Sequence, residues 1–372
     1  MKIADDIRPA LTAHMARLVA AAQLRQGPVT FTRPCISPTY QGVWPDDCMW
    51  PFIADPLLAK SLDWSGLLNW LTDAIVDLPC VPDRVEFSGL AVMSPGPVGA
   101  SPLSMQMPLH LPSAWTRFLD YASGFGYEIP RKEAWGAVIR RSFDRVPFSF
   151  GLVYSDPQEQ VVGFGFYDTV RLTGLDLMTS VVTYRGLQRA AALFADVMDP
   201  AVCEQWRQRA EHLRANLHRL YDEEAGGFVG GTSAGRMFSV WGNGLVYPLA
   251  TRAQQAGILR FICEHQKKIF IRGCTRQTAT LGGWSGASRG YQDSGAWAAG
   301  TGFILPALAV GAPELARSLA GELMEQLDSF ECAEWLDDQG SPQGARQFLA
   351  SVSMPLLALR SIEEGKPLLN YF

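Results

Sequence analysis

Two adjacent carboxylates stand among aromatic rings in the stretch YQGVWPDDCMWPF, residues 40–52. Carboxylate oxygens accept hydrogen bonds from hydroxyl groups, and a flat ring beside them offers an apolar face. This combination is typical of a site that holds a sugar. The alternative is a surface turn whose rings face the core. We expect a sugar-binding wall built from Tyr40, Trp44, Asp46, Asp47 and Trp50.

Asp168 is the first candidate for acid–base chemistry. Glycosidic bonds are cleaved by two carboxyl groups, one that protonates the leaving oxygen and one that attacks the sugar or activates water. Asp168 follows Phe164, Phe166 and Tyr167, and apolar surroundings raise the pKa of a carboxyl group, as a general acid requires. A turn or helix-cap aspartate is the alternative.

Glu334 is the candidate for the partner carboxylate. It precedes Trp335 and the turn-like sequence DDQGSPQG. Glu331 is its rival, because residues three apart share one face if this short piece is helical. The base is therefore expected to be one of these two glutamates, with Glu334 preferred.

Four stretches combine aromatic, glycine and carboxylate or amide residues at the entrance of a predicted helix: 40–52, 163–174, 239–244 with 288–297, and 331–345. Loops of this composition are expected to meet in one composite pocket. A core or capping position is the alternative for each. The residues expected to contact substrate are Tyr40, Trp44, Asp46, Asp47, Trp50, Tyr167, Arg171, Trp241, Asn243, Tyr291, Gln292, Trp297 and Glu331.

Helices must position these loops. Apolar residues at steps of three and four predict helices over 3–24, 55–77, 112–123, 131–142, 175–197, 202–221, 239–251, 252–267, 297–310, 313–328 and 345–362. Asp176 is interpreted as part of a T-x-x-D helix start rather than as a catalytic group. Strongly apolar helices alternate with striped ones. This alternation predicts an all-α ring of helical hairpins, with apolar helices inside and striped helices outside.

The segment 79–111 is long and rich in proline, and it is expected to form a lid loop over the ring. Strand patterns are few and are confined to about 86–92 and 227–230. We expect a single domain over residues 1–372.

Bulk composition restricts the partners. The chain has 372 residues, of which 48% are hydrophobic and 19% charged, with a net charge of −5. This balance argues against nucleic acid or an anionic membrane as partner. The amphipathic start and seven irregularly spaced cysteines predict a cytoplasmic protein. No metal or cofactor motif is evident. A small carbohydrate is the expected partner, and a homo-oligomer is left open.

The order of these motifs resembles the six-hairpin glycosidases. The resemblance runs from GVWPDDCMW through DTVRLTGLDLMTS, SVWGNG and GYQDSGAW to AEWLDDQGSPQGA. Within that superfamily the chain is most similar to the inverting processing α-glucosidase and mannosylglycerate hydrolase clan. It departs from the clan pattern in having Tyr167 where a tryptophan is common.

The resemblance implies an (α/α)6 barrel that hydrolyses a small glycoside in exo fashion with inversion. It implies that Asp168 is the general acid and Glu334 the base, and that Trp44, Asp46 and Asp47 bind the terminal sugar. It also places Tyr291 and Trp297 in the pocket wall.

Other functions stay open. A sugar epimerase would need a pair of histidines facing the cavity, whereas the five histidines are scattered through the chain. A non-catalytic sugar-binding protein on the same fold is a second alternative. A lyase or an unsaturated-uronate hydrolase is a third, with Arg171, Arg289 and Arg346 as a basic subsite.

Overall fold

The computed structural model describes most of the chain. The described residues are 2–27, 29–38, 40–93, 107–158, 162–167, 172–232, 237–279, 291–292 and 294–372. Twelve α-helices lie in these ranges: α1 Lys2–Ala22, α2 Pro45–Ala54, α3 Trp64–Ile75, α4 Leu111–Gly124, α5 Lys132–Asp144, α6 Leu177–Leu193, α7 Pro200–Asn216, α8 Val240–Val246, α9 Arg252–Ile269, α10 Ala298–Gly311, α11 Pro313–Ser329 and α12 Ala350–Glu364.

The even-numbered helices form a closed ring. Contacts run from α2 to α4, α6, α8, α10 and α12, and α12 packs on α2 to close the circle. The odd-numbered helices lie outside, with α5 on α4, α7 on α6, and α11 on α10 and α1. Six antiparallel hairpins arranged in this way are an (α/α)6 barrel. The predicted fold class is therefore confirmed.

Burial explains which helices lie inside. In α10 all residues except Pro306, Val310 and Gly311 are buried, because this helix has neighbours on several sides. In α7 burial is confined to one stripe, which runs from Val202 to Leu213, and the opposite face is solvated. The predicted alternation of apolar and striped helices thus corresponds to inner and outer positions.

The two ends of the barrel differ. Each even-numbered helix leads to the next helix through a short connection, and each odd-numbered helix leads into an inner helix through a long one. The six long connections therefore meet at the N-terminal ends of the inner helices, which we call the loop end. Helix N-termini carry partial positive charge, so this end suits carboxylates.

All described strands lie in the long connections. They are β1 Gln23–Gln26, β2 Val29–Thr32, β3 Gly42–Val43, β4 Arg84–Glu86, β5 Ala91–Val92, β6 Phe148–Ser149, β7 Leu152–Ser155, β8 Gly174–Leu175, β9 Tyr221–Asp222, β10 Gly227–Phe228, β11 Phe270–Ile271, β12 Cys274–Arg276, β13 Ala296–Trp297, β14 Trp335–Leu336 and β15 Pro342–Gln343. They pair antiparallel in five small sheets: β1-β2, β3-β4-β5, β6-β7-β8, β10-β9 and β11-β12-β13-β14-β15. Two of these sheets, β3-β4-β5 and β11-β12-β13-β14-β15, join strands from different connections, and the other three each lie within one connection.

Several boundaries differ from the sequence prediction. Helix α2 was not predicted, because its ten residues contain two prolines and begin with the turn-like WPDD. Pro45 occupies the first turn, where proline is favoured, and Asp46 and Asp47 suit the positive end of the helix. The predicted helix over 55–77 divides into a 3-10 helix, Pro56–Ser61, and α3, which Asp63 caps.

The segment expected to form a lid is partly ordered into sheet. Strands β4 and β5 pair with each other, and β4 pairs with β3 of the preceding connection. Residues 94–106 of this segment lie outside the described residues. Across the described ranges, no helix combines the length and apolarity that a membrane crossing requires.

Candidate active site

Glu334 lies at the loop end, just before β14, and its side chain is 4% exposed. Its Oε1 accepts hydrogen bonds from the hydroxyl groups of Tyr291 (2.8 Å) and Tyr40 (3.3 Å). Its Oε2 accepts the backbone N–H of Ala345 at 2.8 Å. Three donors from three connections therefore hold one carboxylate in a fixed orientation.

The protonation of Glu334 reflects two opposing effects. Burial raises the pKa of Glu334 above its ordinary value, whereas the hydrogen bonds from Ala345, Tyr291 and Tyr40 lower it. Burial is the larger effect, so the pKa is raised. A carboxylate of this kind accepts a proton more readily than an exposed one, which suits a general base.

The backbone next to Glu334 requires a glycine. Gly344 has a φ of +69°, and a Cβ at this position would lie 2.5 Å from Glu334 Oε2. The same Cβ would lie 2.9 Å from the indole of Trp335. Gly344 thus allows the chain to close around the carboxylate.

A second group of charges flanks Trp44. The Trp44 indole N–H donates to Asp83 at 3.0 Å, and the Arg84 guanidinium lies 5.1 Å from the centre of the Trp44 ring. Arg84 also donates to Asp83 at 3.2 Å. Burial raises the pKa of Asp83 to about 6, although Arg84 and Trp44 lower it in part. Asp83 thus holds the N–H edge of the Trp44 indole, and Arg84 holds its face.

Asp46 is engaged in a buried ion pair. Its Oδ1 accepts from the guanidinium of Arg117, on α4, and its Oδ2 lies 3.6 Å from Nε2 of His110. Burial lowers the pKa of His110 to about 4, so the imidazole is neutral at physiological pH. Arg117 is therefore the cation that compensates Asp46.

Asp47 has no such compensation among the described residues. Its Oδ1 is buried and accepts no hydrogen bond from any residue that the structure describes. Burial and the charges of Asp46, Glu334 and Asp83 raise the pKa of Asp47 well above its usual range. A buried oxygen without a donor is costly, and a ligand hydroxyl would relieve that cost.

Aromatic rings fill the barrel beside these carboxylates. Phe166 stacks on Trp50 with ring centres 5.5 Å apart, and its edge meets Trp297 at 5.7 Å and Trp241 at 6.1 Å. Tyr291 lies 5.1 Å from Trp297. The indole N–H groups of Trp50 and Trp297 are buried without partners in the described part of the chain. They are further donors for a ligand.

Two residues predicted to contact substrate bond to the backbone through their polar atoms. The Asn243 side chain is fully buried and exchanges hydrogen bonds with the backbone of Phe228 while also donating to Ser239 O. The Trp241 indole N–H donates to Thr275 O at 3.2 Å. Their polar atoms are already used, because both residues join α8 to neighbouring strands. Gln292 is buried beside Tyr291 in the chain, 2% exposed.

Glu331 does not share the position of Glu334. It is exposed, and its φ of +53° shows that the chain turns there after α11 rather than continuing as a helix. The helical spacing that made the two glutamates rivals is therefore absent, and Glu334 is the one that faces the tyrosines.

Some predicted site residues cannot be located. Asp168, Arg171 and Arg289 lie outside the described residues, as does the side chain of Tyr167. Phe166, two residues before Asp168, lies in the aromatic group described above. The described ranges therefore include the residues just before the predicted acid but not the acid itself.

Asp176 has a capping role, as the sequence predicts, but it is itself the N-cap of α6 rather than the last residue of a T-x-x-D start begun by Thr173. Its carboxylate accepts from the backbone N–H of Thr179 at 2.9 Å and from the Thr179 hydroxyl at 2.8 Å. Burial raises the pKa of Asp176 to about 6, and these bonds oppose the shift.

Sequence inspection missed Asp83, Arg84, His110 and Arg117. The first three lie in the segment predicted to be a lid loop, where no local pattern indicates a place in the site. Arg117 carried a usable signal: it stands among Trp115 and Phe118 on an otherwise apolar face of a predicted helix. A buried arginine needs a carboxylate partner, and here that partner is Asp46.

The histidines do not form a pair. His110 is buried, whereas His212 and His218 are exposed on α7 and the following turn, and His265 stacks on Phe261. His14 bonds Asp328 on the outside of the ring. This arrangement lacks the two cavity-facing histidines expected of an epimerase.

Barrels of six helical hairpins found among glycosidases match this chain, so it has the six-hairpin glycosidase fold, as the resemblance implied. No protein-family model and no curated protein matches the sequence.

Three particular structures illustrate the match. A mannosylglycerate hydrolase of glycoside hydrolase family 63 from Thermus thermophilus, in complex with glucose, is 16% identical, with a TM-score of 0.58, 94% of this chain and 99% of that chain covered. A rhamnosidase from Klebsiella oxytoca with rhamnose bound is 14% identical (TM-score 0.57; 87% and 58% covered). A bacterial glucoamylase complexed with acarbose is 13% identical (TM-score 0.60; 89% and 50% covered).

Proposed function

We propose that this chain is a glycoside hydrolase, a single catalytic domain that acts on a small glycoside or oligosaccharide in exo fashion and with inversion. The observation that carries the proposal is Glu334, a buried carboxylate held by two tyrosines at the loop end of the barrel, where Asp47 also lies with an Oδ1 that has no donor among the described residues. The fold shared with enzymes that bind glucose, rhamnose or acarbose supports it.

In the proposed reaction Glu334 takes a proton from water, which attacks the anomeric carbon. Asp168 protonates the leaving oxygen, a role carried over from the sequence pattern. Inverting enzymes separate the two carboxyl groups by about 6.5–9.5 Å to leave room for that water. The electron pair of the broken bond passes to the leaving oxygen, and the sugar is released with inverted configuration.

The other groups of the site would bind the sugar. Asp47 Oδ1 can accept from a hydroxyl group, and the indole N–H groups of Trp50 and Trp297, which have no partner in the described ranges, can donate to one. Trp44, fixed by Asp83 and Arg84, offers a ring face. The aromatic residues that fill the barrel interior supply a floor to the pocket, and a closed floor favours attack at a chain end over attack within a chain.

The test compares matched variants of the two neighbouring glutamates. The wild type is screened against 4-nitrophenyl α- and β-glycosides, and the configuration of the first-formed sugar is read by proton NMR. We expect Glu334→Gln to lower kcat by about a thousandfold or more with an unchanged Tm. Glu331→Gln is expected to retain activity, because Glu331 is exposed.

Other outcomes are equally informative. Full activity of Glu334→Gln would remove the assignment of the base, and loss of activity only in Glu331→Gln would reverse it. Retention of configuration would exclude the inverting mechanism. Monosaccharide binding without any turnover would identify a non-catalytic sugar-binding protein.

A further inference from the structure

Arg117 links the sugar-binding end of the barrel to a distant part of the chain. It projects from α4, is 3% exposed and pairs with Asp46. Its guanidinium carbon lies 4.8 Å from the ring centre of Phe372 and 5.8 Å from that of Trp50. Aromatic faces attract a guanidinium at these distances, and more strongly when water is excluded.

Phe372 is itself held firmly. It is 2% exposed, and its ring lies 5.5 Å from that of Phe303 on α10 and 6.2 Å from that of Trp50. The carbonyl of Phe372 accepts from Arg189 Nε at 2.7 Å, and Arg189 also bonds Asn370 O at 2.6 Å. The ring beneath Arg117 is therefore anchored to α6 and packed on α10.

Asp46 depends on Arg117 for its position, because other carboxylates lie around Asp46. Asp47 is adjacent, Asp83 lies close enough to interact electrostatically, and both are carboxylates. His110 is neutral near pH 7 and contributes no positive charge. Without Arg117, the first turn of α2 would hold buried negative charges whose repulsion favours displacement of the chain.

We propose that Arg117, braced by the ring of Phe372, is a positioning residue that holds Asp46 and thereby sets the place of Asp47 for sugar binding. Arg117 donates to Oδ1 of Asp46, and Nε2 of His110 lies 3.6 Å from its Oδ2, so protein groups already engage Asp46. In this arrangement Asp47 binds the sugar, since its Oδ1 has no donor among the described residues. The proposal rests on the proposed function, since it assigns a role within the same site.

The chain offers a matched control. Arg209 lies 4.7 Å from the ring centre of Phe148 on the outer face of the barrel, in the same geometry as Arg117 over Phe372. Phe148→Leu removes a ring beneath an arginine without touching the site. Phe372→Leu removes the ring beneath Arg117, and Phe372→Tyr keeps an aromatic face there.

The experiment measures kcat and KM with the best 4-nitrophenyl glycoside from the screen, and Kd for the monosaccharide it releases by tryptophan fluorescence. We expect Arg117→Lys to raise KM and Kd about tenfold, with kcat within about twofold, because lysine keeps the charge but loses the planar fork. Phe372→Leu should raise both about threefold. Phe372→Tyr and Phe148→Leu should match the wild type.

Each outcome decides the proposal. Unchanged Kd in both Arg117→Lys and Phe372→Leu overturns it. A fall of Tm and kcat without a change in Kd shows a merely structural role and also overturns it. If the wild type binds a monosaccharide but cleaves no glycoside, the hydrolase proposal fails while the Kd comparison still decides the role of Arg117.

Discussion

At the scale of single residues, the site consists of carboxylates whose environments differ. Asp46 has an arginine, Asp83 has an arginine and an indole, Glu334 has two phenols and a backbone N–H, and Asp47 Oδ1 has no described donor. Identical chemical groups thus acquire different properties from their neighbours. In the proposed mechanism, this difference lets one carboxylate act as a base while another binds hydroxyl groups.

In the proposed mechanism, the hydrogen bond from Tyr291 influences the acid limit of activity. This bond stabilises the ionised form of Glu334, so its removal in Tyr291→Phe raises a pKa that burial already raises. A base works only when deprotonated, so activity is then lost at a higher pH as the solution is acidified. We expect the acidic limb of the kcat/KM profile to move up by about half a unit to one unit.

Two further variants check this prediction. Tyr40→Phe should shift the limb less, because its bond to Glu334 is longer, 3.3 Å against 2.8 Å. Tyr247→Phe, in the 3-10 helix after α8, is the control and should leave the profile unchanged. A limb that stays in place in Tyr291→Phe would mean that Glu334 does not govern it.

At the scale of elements, the connection between α11 and α12 surrounds Glu334, and we call this connection the clasp. Strands β14 and β15 pair within it, and Glu334 N donates to Ala345 O while Ala345 N donates to the carboxylate. Helix α12 begins at Ala350, five residues after the start that the helical pattern predicts at residue 345. Those residues remain irregular because their backbone groups bond to other residues of the same connection, including Cys332.

Gly344→Ala tests the clasp. The added methyl group would meet Glu334 Oε2 in a backbone conformation that disfavours side chains. We expect a loss of at least tenfold in kcat, measured with the same glycoside, and destabilisation of about 1 to 2 kcal/mol in urea.

The control for this substitution is Gly365→Ala. Gly365 has a similar φ of +61° after α12 but nothing within 4 Å of an added Cβ. Backbone strain should destabilise this variant to a similar extent, and the variant should retain kcat. Equal kcat in Gly344→Ala and the wild type would show that the clasp does not position the carboxylate.

At the scale of the whole molecule, stability depends on how closely neighbouring inner helices approach. Gly302 of α10 faces α12, and a Cβ there would lie 2.4 Å from the backbone carbon of Met354. The ring cannot widen at one contact without displacing the others, because it is closed. Overpacking at this position therefore strains the barrel as a unit.

Gly302→Ala should destabilise the protein by about 2 kcal/mol, measured as the free energy of unfolding in guanidinium chloride. Gly321→Ala on the outer helix α11 is the matched control, since an added Cβ there meets nothing within 4 Å. Alanine has the higher helix propensity, so this change should stabilise the protein by about 0.5–1 kcal/mol. If both variants changed the free energy of unfolding in the same direction, the close approach of the inner helices would not be what limits the stability of the ring.

Much of this architecture could be predicted from the sequence, because its signals are local. The 3.6-residue pattern separates α7, with one apolar stripe, from α10, which is apolar all round, and hence outer from inner helices. Asp176 caps α6 through contacts three residues away. Glu334 stands in a recognisable loop composition.

The sequence by itself thus determined the barrel class and the loops that meet at its end. Only the tertiary structure decided which partner each charged group has. Asp46 pairs with a residue 71 positions away, Trp44 with one 39 away, and Glu334 with Tyr40 across 294 positions. No local periodicity encodes such separations, since they arise only when the ring closes and brings α2, α4 and the α11–α12 connection together.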